Sequence, residues 1–471
     1  MLFLKRHQAR CQADLIAMSC KFDDIFLKNT QEALGTQALD SFIDAFDNEP
    51  VIVSVRRNPL KCSDEQARGH YEEISDGLIP WCTDGFYLKS RPLFQLDPYV
   101  HTGAFYVQDA ASMVVQSIFK NLRPDGPARI LDLCAAPGGK SSCIAACMGS
   151  QDILVTNEVI RSRATILAEN LTKWGKSNVV ITNNEADSFS CLQGYFDMVF
   201  ADVPCSGEGM FRKDRDSIEQ WTPSNVELCA ARQRKIVASA WAALKEDGLL
   251  VYSTCTFNKY ENDKNVAWIC EILGAEPLMI SYGEDGNMPL RTKFGLQFLP
   301  GSTRSEGLYI AVLKKTASQK EVRLKFSKIA KSLYCTYVKD SYLAKITTSA
   351  GDMLKAYPLG LECEIIALEA QLRPIRSGVA IAMVKGKDLI PEPALALNEL
   401  LQSEAFSVTK LSLEDALKYL RLEPLILDAP KGFILAEYQG IPIGFLKNIG
   451  NRSNNLFPSA WRLRSTITNN Y

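Results

Sequence analysis

Between residues 128 and 255 short apolar runs alternate with amphipathic segments, and this alternation restricts the possible fold more than any other feature of the chain. The runs lie at residues 128–133, 152–156, 178–182, 196–201 and 249–252. Helical patterns start from Lys140, span 161–174 with a stop at Gly175, and run from a capping box of Ser224 and Glu227 to Leu244, with Gly248 closing that helix. Strands that alternate with helices predict a parallel, doubly wound α/β sheet. Residues 294–299 and 307–313 read as a closing antiparallel hairpin. In such sheets ligands sit beyond the carboxyl ends of the strands, so the residues there are the candidates for chemistry.

The flanks differ in character. Residues 1–17 carry no periodicity and are expected to be an appendage, disordered or set too early at the start. Amphipathic patterning begins after Met18 with Phe22, Ile25, Phe26 and Leu34, and ends at Gly35. Two helical segments, a strand at 51–55 and a Pro/Gly/aromatic-rich connection make 18–105 a small α/β lead-in domain, followed by the sheet domain at 106–315. Beyond Lys315 the rhythm stops, and accessory structure is expected at 316–390 and 391–471. The formal charge of −1 does not mark the chain as a nucleic-acid binder. Residues 431–471 carry a net +4, which fits an RNA contact and an ordinary solvated surface alike.

Fourteen cysteines without a C-x-x-C pair argue for reduced thiols, and with only three histidines neither a metal centre nor Ser-His-Asp chemistry is expected. No run of about 18 apolar residues occurs, so a cytoplasmic protein without membrane partners is expected. Any nucleophile has to be a cysteine. Cys255 follows the apolar run 249–252, flanked by Thr254 and Thr256, with Asn258 and Glu261 read as a capping box for the next helix. Taken alone, it fits a small buried hydrophobe equally well. A second thiol, Cys205, follows Asp202 at the end of the fourth run, ahead of a basic loop with Arg212, Lys213 and Arg215 that reads as mobile. Two thiols at neighbouring strand ends are not something packing requires. The strand–turn–helix stretch Cys134, Ala135, Ala136, Pro137, Gly138, Gly139 and Lys140 lacks dinucleotide and P-loop spacing. With the acid Glu158 about 20 residues on, it predicts a nucleoside cofactor whose ribose diol meets the carboxylate.

With these residues in view, the chain resembles the Sun-type RNA cytosine-5 methyltransferases, in their bacterial small-subunit rRNA branch. The resemblance runs from about Met18 to the end, through CAAPGGK (134–140), NEVIRSRA (157–164), ADVPCSGEGMFRKD (201–214), STCTFNKYEN (253–262) and IPIGFLKNIGNRSNNLFPSAWRLRS (441–465). It implies a Rossmann-like class I methyltransferase sheet, a C-terminal PUA-like RNA-binding module, and S-adenosylmethionine as cofactor. It also implies methyl transfer to carbon 5 of a cytosine in RNA, most directly 16S rRNA or the small ribosomal subunit, by a monomer. Carbon 5 is a poor nucleophile until carbon 6 is attacked, which is why this chemistry needs a thiol. The family's roles carry over to Cys255 as the attacking group, Cys205 as the group assisting release, and Asp202 at the base amino group and the cofactor. Residues 134–140 would surround the methionine part and Glu158 would take the ribose, with Glu185 or Asp187 near adenine. The family's usual leucine-proline is Lys21-Phe22 here, and the alanine of D-A-P-C is Val203. A tRNA methyltransferase of the same family, and a non-catalytic RNA-binding assembly factor, are the competing readings. Retention of both cysteines speaks against the second.

Overall fold

The structure is a computed structural model and describes residues 22–280, 282, 288–326 and 329–464; the expected appendage at 1–17 lies outside the described residues. The chain forms two compact units. The first takes residues up to Ile52, Asp109–Ser112 and Leu192–Glu321, and the second takes Val53–Gln108, Met113–Cys191 and the chain from Val322 onward.

In the first unit strand Phe196–Asp202 runs parallel to strand Leu244–Thr254, with helix Pro223–Trp241 as the crossover. Strand Leu308–Lys315 is antiparallel to Leu244–Thr254 and pairs in turn with Leu296–Phe298, which is the expected closing hairpin. The central parts of the two parallel strands, Met198 to Ala201 and Leu250 to Thr254, are buried without alternation, as strands covered on both faces are. Helices Asp24–Leu34 and Thr36–Asn48 add a cluster of rings: Phe22, Phe26, Phe42 and Phe46 pack with Phe211, Trp221 and Phe257.

Three helix boundaries differ from expectation. Helix Pro223–Trp241 is capped by Thr222, whose hydroxyl accepts the Asn225 N–H, because Pro223 takes the first helical position and sets the cap two residues upstream of Ser224. Gly248 lies inside a strand rather than after a helix; a Cβ there would sit 3.0 and 3.1 Å from the Lys245 and Asp197 carbonyl oxygens, so the strand's entry leaves little room for a side chain. Asn258 and Glu261 do not open the next helix, which is Asp263–Leu273. Asn258 Oδ1 accepts the N–H groups of Tyr260 and Glu261 in a local turn, and the Glu261 carboxylate turns inward.

In the second unit strands Arg129–Asp132, Ile153–Asn157 and Val179–Thr182 run parallel, and Pro374–Arg376 pairs antiparallel on the last of them. Helix Arg161–Trp174 matches its sequence-based span and stops at Gly175, at φ +90°. The lead-in segment holds a four-stranded sheet in the order Ser75–Ile79, Cys82–Leu88, Val53–Arg57, Phe105–Val107. Farther along, one four-stranded sheet starts at Tyr342–Thr348, and another is built from Ser407–Leu411, Gly432–Tyr438, Ile441–Asn448 and Ser453–Asn455. This last sheet shares a core with the lead-in sheet, where Val55, Phe86 and Phe105 join Leu417, Ile434 and Ile443.

Candidate active site

In the first unit two strands end side by side. Asp202 pairs in register with Ser253, so the loops that follow each strand leave from the same edge. Cys205 and Cys255 follow those ends, and their sulfurs lie 3.0 Å apart. The Cys255 N–H also donates to the Cys205 sulfur at 3.3 Å. The hydrogen bond with Cys255, reinforced by burial, pushes the Cys205 thiol well above the usual cysteine range. The 3.0 Å approach places the Cys205 thiol within hydrogen-bond reach of the Cys255 sulfur. The Asp202 carboxylate accepts the Ser253 hydroxyl at 2.7 Å. Gly209 N–H donates to the Cys255 carbonyl at 2.8 Å, and a Cβ at Gly209 would approach that oxygen to 3.0 Å, so the loop closes over the strand end only with glycine.

The basic loop is fastened rather than free. Arg212, with only 4% of its side chain exposed, reaches the carbonyls of Glu49 and Pro50 at 3.0 and 2.7 Å and faces Glu306. Lys213 faces Asp109, and the Arg215 guanidinium lies over the Phe46 ring. The sequence reading of this loop as mobile is therefore corrected: the helices at the start of the chain supply carbonyls and rings that hold it.

The cofactor candidates gather in the second unit. The turn after strand Arg129–Asp132 is held by the Ala135 N–H on the Asn157 carbonyl at 2.8 Å, and Gly138 adopts φ +110° before the short helix Gly139–Ala145. Asp132, 1% exposed, accepts the Ser141 hydroxyl at 2.6 Å and ties the strand to that helix. Cys134 and Lys140 are partly exposed on the turn, whereas Ala135, Ala136 and Gly138 are buried. Glu158, 3% exposed, directly follows strand Ile153–Asn157. One of its oxygens accepts the Ile160 N–H at 3.0 Å, and the other faces Arg163 at 3.5 Å. Arg163 also donates to the Ala136 carbonyl at 2.9 Å, so it links the acid to the glycine turn. Glu185 and Asp187 are both exposed, after strand Val179–Thr182 and at the start of a helical turn respectively.

Sequence reasoning missed Arg56. Fully buried in the lead-in sheet, it donates to the Ser142 hydroxyl at 2.6 Å and to the Gly139 carbonyl, while its guanidinium stacks over Trp174 at 4.5 Å. A lone arginine in an R-R-N-P stretch carries no signal of such a role. Glu208 and Glu261, both buried beside the cysteines, were also missed.

Comparisons with known proteins agree with this geometry. Residues 119–314 match the family of the 16S rRNA methyltransferase RsmB/F, residues 22–110 the N-terminal domain of 16S rRNA methyltransferase RsmF, and residues 406–463 the methyltransferase RsmF PUA domain. A solved structure of a methyltransferase homolog protein from Pyrococcus horikoshii is 25% identical, with a TM-score of 0.54 over 64% of this chain and 99% of that one. NSun6 from the same organism, crystallised with SFG, shares the fold at 19% identity and a TM-score of 0.54, over 63% of this chain and 99% of that one. The fold is that of a Rossmann-like methyltransferase with an N-terminal domain and a C-terminal PUA domain. Ribosomal RNA small subunit methyltransferase F from Escherichia coli O157:H7 is 31% identical, covering 93% of this chain and 96% of the relative, and its counterpart from Shigella boydii matches equally. The chain belongs to this RsmF family of small-subunit rRNA methyltransferases.

Proposed function

We propose that this chain transfers a methyl group from S-adenosylmethionine to carbon 5 of a cytosine in 16S rRNA, with Cys255 as the nucleophile. The observation that carries this reading is the 3.0 Å approach of the two sulfurs at the ends of neighbouring paired strands. A thiolate at Cys255 attacks carbon 6, and the electron pair moves to carbon 5, which then takes the methyl. Loss of the carbon 5 proton and expulsion of the Cys255 thiolate restore the double bond, with Cys205 assisting that release. Asp202, held by the Ser253 hydroxyl, would receive the base amino group.

A carboxylate at a strand end, coupled to a glycine turn through Arg163, offers two acceptor oxygens to a ribose diol, a donor set that fits the nucleoside part of the cofactor. Glu158 would hold the ribose, the turn from Cys134 to Lys140 the methionine part, and Glu185 or Asp187 the adenine. S-adenosylmethionine supplies the electrophilic methyl when bound. The RNA partner, in this reading, is 16S rRNA or the small subunit, met by the lead-in domain (18–105), the basic C-terminal module (391–471) and the sheet domain (106–315) between them in sequence, with 316–390 accessory. Among the described residues no helix is long and apolar enough to cross a membrane. In this reading the chain acts as a monomer in the cytoplasm.

The test is a denaturing gel of each cysteine variant incubated with substrate RNA and S-adenosylmethionine. Cys205→Ala should trap a covalent RNA complex, and Cys255→Ala should form none. An adduct that accumulates in Cys255→Ala instead would exchange the two roles, and no adduct in either would remove the covalent mechanism.

A further inference from the structure

Two buried carboxylates near the thiol pair are not used by this chemistry, and each reaches across to the other thiol's loop. Glu208, three residues after Cys205, is 1% exposed; one of its oxygens accepts the main-chain N–H groups of Phe257 and Asn258 at 2.6 and 3.1 Å, just after Cys255. Its other oxygen accepts Trp221 Nε1 at 3.1 Å and Asn258 Nδ2 at 2.9 Å. Glu261, six residues after Cys255, is fully buried and reaches back the other way. It accepts the Ser206 N–H at 3.0 Å and the Ser206 hydroxyl at 2.5 Å, next to Cys205. Gln233 Nε2 completes its shell at 2.6 Å and also donates to the Pro204 carbonyl at 3.0 Å, while Asn258 Nδ2 joins the two acids by donating to Glu261 at 2.9 Å.

We infer that Glu208 and Glu261 are positioning residues that form a crossed clasp, each acid fixing the loop that bears the opposite cysteine so that the Cys205 sulfur stays in register with the Cys255 sulfur that bonds the substrate carbon. This rests on the two-thiol reading proposed above. Burying two carboxylates costs far more than filling the same space with apolar side chains. Packing alone therefore gives no reason for them. Each acid is surrounded by four neutral N–H or O–H donors, and at Glu208, where all four are N–H groups, this is an acceptor-only arrangement that a carboxylate satisfies and an amide does not. In either orientation a glutamine at 208 points its amide N–H groups at donors. The clasp acts through geometry, and displacement of a reacting group by about 1 Å is enough to cost on the order of 100-fold in rate.

The test uses the full chain and reads the sulfurs directly. Ligand-free wild type, Glu208→Gln and the milder Ser206→Ala are treated with diamide, and the Cys205–Cys255 disulfide is followed by mass spectrometry of unreduced peptides. In parallel, kcat and KM for methylation of 16S rRNA are measured. The clasp predicts that disulfide formation and kcat both fall roughly tenfold or more in Glu208→Gln, and by a smaller factor in Ser206→Ala, with KM for S-adenosylmethionine and the cooperative melting transition kept. Should Glu208→Gln fail to fold, Ser206→Ala alone decides. Crosslinking at the wild-type rate in a folded variant overturns the inference, whatever happens to activity. Slowed crosslinking in a chain whose wild type makes no 5-methylcytosine leaves the clasp standing and sinks the proposed reaction instead.

Discussion

Glu261 shows what a single buried group does to the energetics around it. Burial pushes its carboxyl up to about 7, with the nearby Glu208 adding to the rise, although the donors from Ser206 and Asn258 oppose it. Cys205, Cys229 and the buried Tyr252 also lie within its electrostatic reach. Below the ordinary carboxylate range the group carries its proton in both folded and unfolded chains, and it contributes no pH dependence. Between about 4.5 and 7 the unfolded chain loses the proton while the folded one keeps it, so stability falls as pH rises through this window. Glu261→Gln removes that titration. The stability of Glu261→Gln relative to wild type should therefore climb from pH 4.5 to pH 7.5, by up to roughly 3 kcal/mol. Denaturant titrations at several pH values measure it, and a pH-independent difference would show that Glu261 titrates normally. The residue also marks the limit of what could be read beforehand. The placement of Asp202, Cys205 and Cys255 at neighbouring strand ends was legible, because the strand order follows from the alternation of strands and helices. An acid three residues after an asparagine has the spacing of a helix cap, and only tertiary contacts with Ser206 and Gln233 distinguish a clasp from a cap.

At the scale of elements, the ring cluster shows how the start of the chain serves the site. Phe26 is 1% exposed and lies 5.2 Å from Phe211 and 5.7 Å from Trp221, residues of the segment that follows Cys205. Phe42 meets Phe257, two residues after Cys255, at 5.4 Å. Phe26→Ala should cost about 3–5 kcal/mol of stability, the usual penalty for emptying a large aromatic site, measured by chemical denaturation. A loss below about 1 kcal/mol would mean that the helix only rests on the loop. The helices and parallel strands of the sheet were legible because their periodicities are long, and helix Arg161–Trp174 has a glycine stop that its geometry demands. The lead-in sheet was not. Strands Ser75–Ile79 and Cys82–Leu88 contain Gly77 and Gly85 and slip register twice, so no alternation survives in the sequence. At Gly85 a Cβ would meet the side chains of Met113, Ile79 and Cys82 at 2.7, 3.0 and 3.2 Å, so these side chains fill the space that a larger residue would need.

At the scale of the whole molecule, segments distant in sequence build the second unit jointly. Arg129 holds Glu364 by two contacts of 2.6 Å, and Glu399 accepts from Lys176 at 3.0 Å and from the Ser177 N–H at 2.9 Å. The C-terminal sheet shares its core with the lead-in sheet; Tyr99 packs edge-on to Tyr438 at 5.8 Å and donates to Gln439 at 2.7 Å. A chain truncated before Phe406 should therefore lose stability as well as RNA affinity, with a melting temperature lower by several degrees and new binding of a hydrophobic dye. An unchanged melting curve would mean that the module is an independent attachment. The same interdependence has a consequence in time. Strand Val179–Thr182 is partnered on one side by Ile153–Asn157 and on the other only by Pro374–Arg376, whose residues leave the ribosome almost 200 positions later. Until then the nascent chain presents a bare strand border of Val179, Val180, Ile181 and Thr182 to every other chain nearby, the configuration from which aggregates are seeded. When Pro374 finally arrives it brings no N–H of its own, so the late strand that seals the border also offers less of a template to whatever might dock beyond it.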